Sequence, residues 1–410
     1  MRLQFEIIHF REQEDNVRGH VMQNWYFDLS KEYLDDLGEW QCEDGALLVG
    51  EDVAPIVRSA IDEGLCHLTN KISGLATTYV HKNSGIPLIG TNYFGIVDRG
   101  TSLLELKPVT SCNHCCLYCS VSEGAQDKQV DFLVEADYLV EETRRVLREK
   151  GLTSPEDEVE LHFSCHGEPF LYGDMLYLIR KLREIPAVTQ ITTDTNGTLL
   201  TEKYIDQLAD AGMTRINISI NTFDSELASR LEGRAVDTDR LKKIATYIAN
   251  HKKMDLLIAP IWLQGVNDAG IREMIEFARE HSVTLGIQNY LNYKGGRFFQ
   301  KQIDWDTFRQ RLHDLEVEYD VPLIMNMPKD FRIRKVKQLA KPFNKNAIVE
   351  ARVIGPGHNP HEILAAAQER TITFLPKLDK HGNRKNYEPD QQVRLRITRD
   401  KHNIFYAEPL

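Results

Sequence analysis

Residues 102–120, SLLELKPVTSCNHCCLYCS, join a predicted β-strand to a loop that contains four of the chain's seven cysteines. The strand is expected over Ser102–Val109, and the four cysteines follow it within a span of eight residues. Cysteines that form a disulfide framework are spread along a chain. A tight cluster such as this one instead indicates metal or redox chemistry in a reducing compartment.

Strands and helices alternate along the sequence after the cysteine loop. Each strand followed by a helix is a crossover unit, so the pattern predicts an α/β fold with a parallel sheet. Six units are fewer than the eight of a complete barrel, which favours a partial (β/α)6 TIM-like barrel with its ligands at the carboxyl ends of the strands. The further predicted strands are Val159–Phe163, Val188–Thr193, Thr214–Ile220, Leu256–Ile261 and Thr284–Gln288, and the predicted helices are Glu135–Lys150, Tyr172–Glu184, Thr201–Ala211, Leu241–His251 and Ile271–His281.

The chain is expected to divide into four parts. The barrel core lies between a small N-terminal α/β region and a C-terminal small β-barrel, which is predicted from short strands that alternate apolar and polar residues. The expected bounds are residues 1–100 for the N-terminal region, 101–300 for the core, 301–345 for a helical and basic connector, and 346–410 for the β-barrel, with strands at Ala347–Val353, Thr371–Leu375 and Val393–Ile397.

Charge is distributed unevenly along the chain. The whole sequence has a formal net charge of −11, yet Pro328–Leu410 contains 17 Lys and Arg against 9 Asp and Glu. Such a split predicts an anionic partner for the C-terminal part. No apolar run reaches the roughly 18 residues that span a bilayer, and no secretory signal is recognised at the start. We therefore expect a cytoplasmic protein with no membrane partner.

Cys112, Cys116 and Cys119 have the spacing C-x3-C-x2-C in the loop after the first core strand. Three thiolates can hold three irons of a [4Fe–4S] cluster and leave the fourth iron open to a substrate or cofactor. A structural zinc site stays possible at this point, because Cys112 with Cys115 and Cys116 with Cys119 both have the C-x2-C spacing of zinc ligands.

The spacing and position of these cysteines resemble those of the radical S-adenosylmethionine (SAM) superfamily. The resemblance implies that SAM binds the open iron through its amino and carboxylate groups and is cleaved to a 5′-deoxyadenosyl radical. It also implies an electron donor such as ferredoxin or flavodoxin. Tyr118 matches the aromatic residue that packs near the adenine in this family, and the continuation CSV-x-EG, Cys119–Gly124, is similar to that of an uncharacterised archaeal-type group within it.

Further motifs follow the next strands in the order that the family requires. His166-Gly167-Glu168-Pro169 resembles the family's GGEP element, with His166 in place of the first glycine. The resemblance implies that SAM is bound by Gly167, Glu168, Pro169, Asn196, Ser219 and Asn221. Each motif also has a plain structural interpretation, because Gly, Pro and Asn favour turns and strand-end polar residues cap helices. Gln288, at the end of the sixth strand, could contact a substrate.

The remaining cysteines are Cys42, Cys66, Cys115 and Cys165. They are too few and wrongly placed for the second cluster of methylthiotransferases, and none lies near the C-terminus as in dual-cysteine RNA methyltransferases. We therefore expect one cluster.

The C-terminal part resembles a TRAM-type barrel, a small β-module that binds tRNA and rRNA, on the evidence of QVRLR at 392–396 and KHNIFYA at 401–407. Phosphate binding requires cations of this kind, and aromatic residues could stack a base. The resemblance implies RNA binding by Arg352, Lys377, Arg394, Arg396, Lys401 and His402. The alternative is a solvated basic face on a barrel used only for packing.

These patterns together predict a radical SAM enzyme that uses one [4Fe–4S] cluster to modify a nucleoside in RNA. Among RNAs, tRNA is the expected substrate. One alternative keeps the radical chemistry but has a protein, lipid or small metabolite as substrate. Another is a non-catalytic iron–sulfur or zinc protein that binds RNA.

Overall fold

The cysteine loop follows the strand that begins the parallel sheet of the core. The structure, a computed structural model, describes residues 1–124, 128–378 and 381–410, and all of its helices and strands named below belong to these ranges. In chain order they are β1 (Arg2–Leu3), β2 (Ile8–Glu12), β3 (Asn16–Val21), β4 (Trp25–Ser30), α1 (Lys31–Leu37), β5 (Trp40–Glu43), β6 (Ala46–Val49), α2 (Ala54–Cys66), β7 (Leu68–Asn70), β8 (Ala76–Val80), β9 (Gly95–Asp98), β10 (Leu103–Lys107), β11 (Thr110–Ser111), β12 (Asp131–Val134), α3 (Ala136–Lys150), β13 (Val159–Phe163), β14 (His166–Gly167), α4 (Met175–Arg183), β15 (Val188–Thr195), α5 (Glu202–Ala211), β16 (Arg215–Ile218), α6 (Ser225–Glu232), α7 (Thr238–Ala249), β17 (Asp255–Ile258), β18 (Ile261–Trp262), α8 (Asp268–His281), β19 (Thr284–Leu285), β20 (Gln288–Asn289), α9 (Trp305–Tyr319), α10 (Met327–Asp330), β21 (Ile348–Pro356), β22 (Ile363–Ala367), β23 (Arg370–Phe374), β24 (Gln392–Arg399) and β25 (Tyr406–Pro409).

The core sheet confirms the predicted parallel arrangement. Its parallel strands in the described residues are β10, β13, β15, β16, β17 and β19, paired in that order. Crossover helices follow these strands, and the sheet does not close on itself, as expected of an open, partial barrel. β9 adds an antiparallel edge strand beside β10 and was not predicted. It lies before residue 101, so the core sheet extends beyond the predicted boundary.

Capping residues explain where the core helices begin and end. Gly151 has a left-handed backbone conformation and donates its N–H to the carbonyl oxygens of Leu147 and Arg148. It therefore ends α3 where the sequence predicts. α7 begins earlier than predicted because the Asp237 side chain accepts a hydrogen bond from the Arg240 N–H. The short helix α6, capped by Asp224, was not predicted.

The N-terminal region is not independent of the core. A six-stranded sheet runs in the order β12-β8-β7-β4-β3-β2, and its strand β12 comes from the chain segment after the cysteine loop. β12 pairs parallel with β8, from Asp131 opposite Thr77 to Val134 opposite Val80. The pairing was not predicted, because a four-residue strand has little periodicity and its partner lies far back in the sequence.

Asp131 joins this sheet to the cysteine loop. Its buried carboxylate accepts hydrogen bonds from Asn70 Nδ2 at 2.9 Å and Ser73 Oγ at 2.6 Å, both in the N-terminal region. It also accepts one from Thr110 Oγ1 at 3.0 Å, just before the first cysteine. A charged, buried carboxylate needs such donors, so the three bonds fix the start of the loop against the N-terminal region.

The C-terminal residues form the predicted small β-barrel. Among the described residues the strands close in the order β21-β22-β23-β25-β24, around a core that includes Phe374, Leu395 and Phe405. Most neighbouring strands of the barrel are antiparallel, but β23 and β25 run parallel. β22 and β25 were also not predicted as strands.

The β-barrel packs directly on the core. Thr371 and Phe405 donate backbone N–H groups to Ile89 and Gly90 at 2.8 Å. Gly90 has φ of 140°, and a Cβ there would overlap the Thr371 carbonyl oxygen, so this approach of two backbones requires glycine. Among the described helices, none is long and apolar enough to cross a membrane.

Candidate active site

The cysteine loop begins in a short parallel pairing between β11 and β14, which holds Ser111 opposite Gly167. Backbone N–H groups within the loop point at two cysteine sulfurs. The His114 N–H donates to Cys112 Sγ at 3.4 Å, and the Glu123 N–H donates to Cys119 Sγ at 3.3 Å. Donors of this kind stabilise thiolate ligands, so the loop is built for negatively charged sulfur.

The three cysteines of the C-x3-C-x2-C motif lie close enough to influence each other electrostatically. Burial, the nearby Glu168 carboxylate and the charges of Cys116 and Cys119 raise the pKa of Cys112. Burial, Glu232 and Cys119 raise the pKa of Cys116 to about 12. Cys112 and Cys116 therefore hold protonated thiols in the free loop, and a positively charged iron centre would displace those protons. This donor set fits a [4Fe–4S] cluster with three protein ligands.

Cys115 has a different environment from its neighbours. Its N–H donates to the Glu232 carbonyl at 3.0 Å, and it packs against Gly233, where an added Cβ would lie 3.2 Å from Cys115 Cβ. The backbone of Cys115 is therefore held against the end of α6 and the residue that follows it. The arrangement gives no support to the pairing of Cys112 with Cys115 as zinc ligands.

Arg297 holds the outer side of the loop. Its guanidinium donates to the Cys116 carbonyl at 2.5 Å and to the Glu123 carbonyl at 2.8 Å, and its own N–H donates to the Cys119 carbonyl at 2.9 Å. Gly124 has φ of 69°, and a Cβ there would overlap the His114 carbonyl oxygen. Sequence analysis did not identify Arg297, because its segment has no regular pattern and lies far along the chain.

The segment His166-Gly167-Glu168-Pro169 lies beside the loop, as its resemblance implies. Gly167 has φ of 128°, and an added Cβ would overlap the Ser111 carbonyl oxygen. Glu168 is buried and accepts hydrogen bonds from the Thr195 hydroxyl at 2.7 Å and the Asn196 N–H at 2.9 Å. Burial raises the pKa of Glu168, although these bonds favour the charged form. Pro169 begins a short 3-10 turn.

The other predicted SAM residues lie on the neighbouring strand ends. Asn196 donates through Nδ2 to Asn113 Oδ1 at 2.8 Å, which links the third strand to the cysteine loop. Ser219 is half-buried, and its N–H donates to the Thr195 carbonyl at 2.9 Å. Asn221 donates to the buried Tyr118 hydroxyl at 2.5 Å. The structure thus brings the predicted residues together along one edge of the sheet.

Several polar residues at this edge were not found from the sequence. His114 Nδ1 lies 2.9 Å from Glu232 Oε2, and both side chains are buried. Arg234 donates to the Asn113 carbonyl at 2.5 Å. Asn113 and His114 stand between two cysteines and could have been singled out by that position. Glu232 and Arg234 had no such signal.

A cavity of about 660 Å³ lies inside the barrel core, on the side of the sheet away from the crossover helices. It is lined by inward-facing side chains of successive strands and by the connector. The lining includes Arg99, Glu105, Glu160, His162, Ser164, Asp194, Arg215, Asn217, Gln288, Met325 and Phe331. Its volume is within the range of about 300–1,000 Å³ that is usual for small-molecule sites.

Six polar side chains, five of which line the cavity, form a closed ring of hydrogen bonds, which we call the polar ring. The Thr192 hydroxyl donates to Glu160 Oε1 at 2.6 Å, so it must accept from His162 Nδ1 at 2.8 Å. His162 Nε2 lies 3.0 Å from Asp194 Oδ2, a carboxylate that only accepts. Both ring nitrogens of His162 therefore carry protons. The members in order are Glu160, Thr192, His162, Asp194, Asn217 and Arg215.

The ion pair in the polar ring predicts a dependence of stability on pH. Burial lowers the pKa of His162, but Asp194 outweighs it, so the pKa lies above the ordinary 6.5. Burial raises the pKa of Asp194, but His162 outweighs it, so the pKa lies below 3.8. The His162 contribution is fully present below about pH 6.5 and is lost as the pH rises through the folded-state pKa. The Asp194 contribution is present above about pH 3.8 and is lost as the pH falls through its folded-state pKa.

We expect His162→Gln to lower the free energy of unfolding by about 1 kcal/mol near pH 5.5, after allowance for the half-exposed Asp194. The difference in the free energy of unfolding between wild type and variant should become smaller as the pH rises to 9. Thermal unfolding of both proteins between pH 5 and 9 measures this difference. His313→Gln, at an exposed surface pair with Glu316, should change little at any pH. A deficit that stays constant over this range would contradict the assignment of a charged His162.

The residues predicted to bind RNA are spread over the β-barrel. Arg394 and Arg396 are exposed on the same face of β24, as the alternation predicts. Arg396 pairs with Glu408 at 3.2 Å, and Arg352 pairs with Asp390 at 2.8 Å and donates to the Gly85 carbonyl. Lys377 and Lys401 are exposed, and His402 is partly buried. Two of these cations therefore already have acidic partners.

The fold and the site define a class: a partial α/β barrel with a three-cysteine loop at the carboxyl end of its first parallel strand. A family model described as the radical SAM superfamily matches residues 106–278. The chain is 33% identical over 370 residues to the uncharacterized protein MJ0103 of Methanocaldococcus jannaschii, covering 83% of this chain and 82% of that protein. The chain therefore belongs to the radical SAM superfamily. It is a radical SAM enzyme whose cofactors are a [4Fe–4S] cluster and SAM.

More distant relatives have established names. The chain is 25% identical over 257 residues to the GTP 3′,8-cyclase of Chlorobaculum tepidum, covering 59% of this chain and 69% of that enzyme. It is 24% identical to the molybdenum cofactor biosynthesis protein moc-5 of Caenorhabditis elegans and spans 36% of its length. A solved structure of Streptococcus suis SuiB bound to S-adenosylmethionine has 18% identity and a TM-score of 0.42, covering 78% of this chain and 72% of that one.

Proposed function

We propose that Cys112, Cys116 and Cys119 hold the [4Fe–4S] cluster and that the strand-end residues bind SAM above the cavity. When bound, the cluster and SAM would supply the radical chemistry for hydrogen-atom abstraction from the substrate. Tyr118 and Asn221 orient the adenine side of the site through their shared hydrogen bond, and Glu168 fixes the turn that carries Asn196. The cavity walls bind the substrate and exclude water.

The position of the cavity carries this proposal. Ser164, Asp194 and Asn217 line the cavity, and each stands two residues before a segment that resembles a SAM-binding motif. These three residues lie at or next to the carboxyl ends of β13, β15 and β16, and the predicted SAM residues follow them in the chain. A substrate in the cavity would therefore lie close to the predicted SAM residues, where a short-lived radical can reach it.

The polar ring supports a substrate with hydrogen-bond donors. Glu160 Oε1 accepts bonds from Thr192 and Arg215, but Glu160 Oε2 is buried with no hydrogen-bond partner in the described residues. A buried carboxylate oxygen without a donor is unfavourable, so a ligand N–H or O–H is the natural partner. We therefore propose a polar substrate, of the size of a nucleoside or amino acid, that donates a hydrogen bond to Glu160.

A second candidate is a nucleoside of RNA, and a group of cations favours it. Burial and the positive charges of Arg99, Lys401 and Arg399 lower the pKa of His402. Arg99 also lines the cavity, so these cations join the β-barrel to the cavity rim. They could bind phosphates while one unstacked nucleoside enters the core. The acidic partners of Arg352 and Arg396 weigh against an RNA path across the rest of the β-barrel, and Arg99 itself is paired with Glu105.

Two experiments test these proposals. Anaerobic reconstitution of the cluster, followed by dithionite and SAM, should yield 5′-deoxyadenosine. No 5′-deoxyadenosine from a chain with an intact cluster would contradict the proposed radical chemistry. Mass spectrometry of tRNA and rRNA nucleosides from a deletion strain should show a missing modification if RNA is the substrate. A complete set of modifications would exclude RNA and leave a small polar molecule.

A further inference from the structure

His358 extends from the turn between β21 and β22 of the C-terminal β-barrel to the cysteine loop, and it is completely buried. Its Nε2 lies 2.6 Å from Glu123 Oε1, and its Nδ1 lies 2.8 Å from the Val130 carbonyl oxygen. Carboxylates and carbonyls only accept hydrogen bonds, so both ring nitrogens donate. The two side chains therefore form a buried, hydrogen-bonded ion pair between the β-barrel and the loop.

Glu123 is bound to the cluster site through its main chain. Its N–H donates to Cys119 Sγ at 3.3 Å, and its carbonyl accepts from Arg297 Nη2 at 2.8 Å. The side chain of this residue is thus held by the β-barrel, while its backbone contacts a cluster cysteine. The bond to His358 fixes the side chain of Glu123, and this restrains the backbone rotation that would turn its N–H away from the sulfur.

The same turn of the β-barrel holds the chain just beyond the loop. The Gln129 N–H donates to the His358 carbonyl at 2.9 Å, and Gln129 Oε1 accepts from the His361 N–H at 2.8 Å. Lys128 Nζ donates to Asn359 Oδ1 at 2.8 Å. Residues 128–129 therefore pair with residues 358–361 through several hydrogen bonds, and His358 is not the sole contact.

A metal ion is the alternative explanation of these residues. Ligand atoms of Glu123, His166 and His358 lie within 4.8 Å of one another. Lys128 Nζ, however, is 4.0 Å from Glu123 Oε1 and would repel a divalent cation. Glu123 is already balanced by Lys128 and the His358 imidazolium, so the charges favour an ion pair without a metal.

We propose that the C-terminal β-barrel is a positioning part of the cluster site, in which His358 fixes Glu123 so that its N–H points at Cys119 Sγ. An N–H bond to a cluster thiolate stabilises the more negative, reduced state. The bond therefore raises the midpoint potential of the cluster. This last consequence rests on the proposed function, whereas the ordering of the loop does not.

The experiment uses the full-length chain with two measurements. Hydrogen exchange of residues 119–124 is measured by mass spectrometry in the metal-free chain, and the midpoint potential is measured by an EPR-monitored titration after reconstitution without SAM. His358→Ala should speed the exchange by about 10-fold or more and lower the potential. His358→Gln keeps one donor and should give intermediate values. The control Arg352→Ala removes the bond from the β-barrel to Gly85 and should change neither measurement.

If His358→Ala does not fold by circular dichroism, His358→Gln and Glu123→Gln carry the test, with changes in the same directions. Unchanged exchange in the folded His358 variants would overturn the proposal. An equal increase in Arg352→Ala would also overturn it, because general loosening of the β-barrel would then be the cause. A zinc or iron ion that a chain without Cys112, Cys116 and Cys119 retains, and loses with His358→Ala, would show a metal site instead. Failure of the wild type to form a cluster would contradict only the proposed function, since the exchange measurement needs no cluster.

Discussion

Replacement of Cys112, Cys116 or Cys119 by serine, one at a time, is expected to abolish incorporation of the cluster and formation of 5′-deoxyadenosine. A hydroxyl is a poor ligand for iron, and two remaining thiolates cannot hold a cubane that needs three. The loss of activity should exceed the about 10- to 100-fold that follows from changes next to metal ligands. Iron and sulfide per chain, together with 5′-deoxyadenosine by mass spectrometry, measure the effect.

Cys115→Ser is the matched control for this prediction. Cys115 lies in the same loop, but its backbone is bonded to Glu232 and its side chain packs on Gly233. The variant should keep a full complement of iron and substantial 5′-deoxyadenosine formation. Loss of iron in Cys115→Ser with retention in any of the other three variants would refute the assignment of ligands.

Alanine at Gly124 or Gly167 is expected to disrupt the site with the next largest effect. Both residues have positive φ, of 69° and 128°, and an added Cβ would overlap a carbonyl oxygen of the cysteine loop. The overlap is with backbone, so no side chain can move aside. We expect a loss of more than about 3 kcal/mol in the free energy of unfolding, or a displaced loop that takes up little iron.

Gly151→Ala separates this overlap from ordinary backbone strain. Gly151 also has positive φ, at 75°, but an added Cβ there would meet no atom within 4 Å. The expected loss is about 1 kcal/mol, with iron uptake unchanged. Urea unfolding and iron content measure both effects. Similar stability and iron content in all three alanine variants would show that the close approach of Gly124 and Gly167 to the loop carbonyls is not needed for the site.

The sequence was sufficient to predict the parallel sheet and the order of its motifs. Strands such as Val159–Phe163 have apolar residues at every second position, and glycines such as Gly151 mark where helices end. Both signals depend only on neighbouring residues, so they can be recognised in the sequence before the fold is known. Tyr118, Glu168 and Asn196 were expected to lie near one another because each follows a parallel strand, and ligands bind at the carboxyl ends of such strands.

The contacts that complete the site could not be predicted in this way. Arg297 reaches Cys116 across 181 positions of sequence, and His358 reaches Glu123 across 235. Neither residue has a periodic neighbourhood or a motif, and their partners are fixed only when the segment after β20 and the β-barrel pack against the cysteine loop. The pairing of β12 with the N-terminal sheet was missed for the same reason, since β12 comes from beyond the cysteine loop.

The pairing of β12 with β8 has a consequence for biosynthesis. Translation proceeds from the N-terminus, so strands β2 to β8 leave the ribosome before β12 has been made. At about 5–20 residues per second, the sheet waits several seconds with an unpaired edge at β8. An exposed strand edge is a site for aggregation. The nascent N-terminal region is therefore exposed to aggregation during this interval, and gene fragments that end before residue 131 should be poorly soluble.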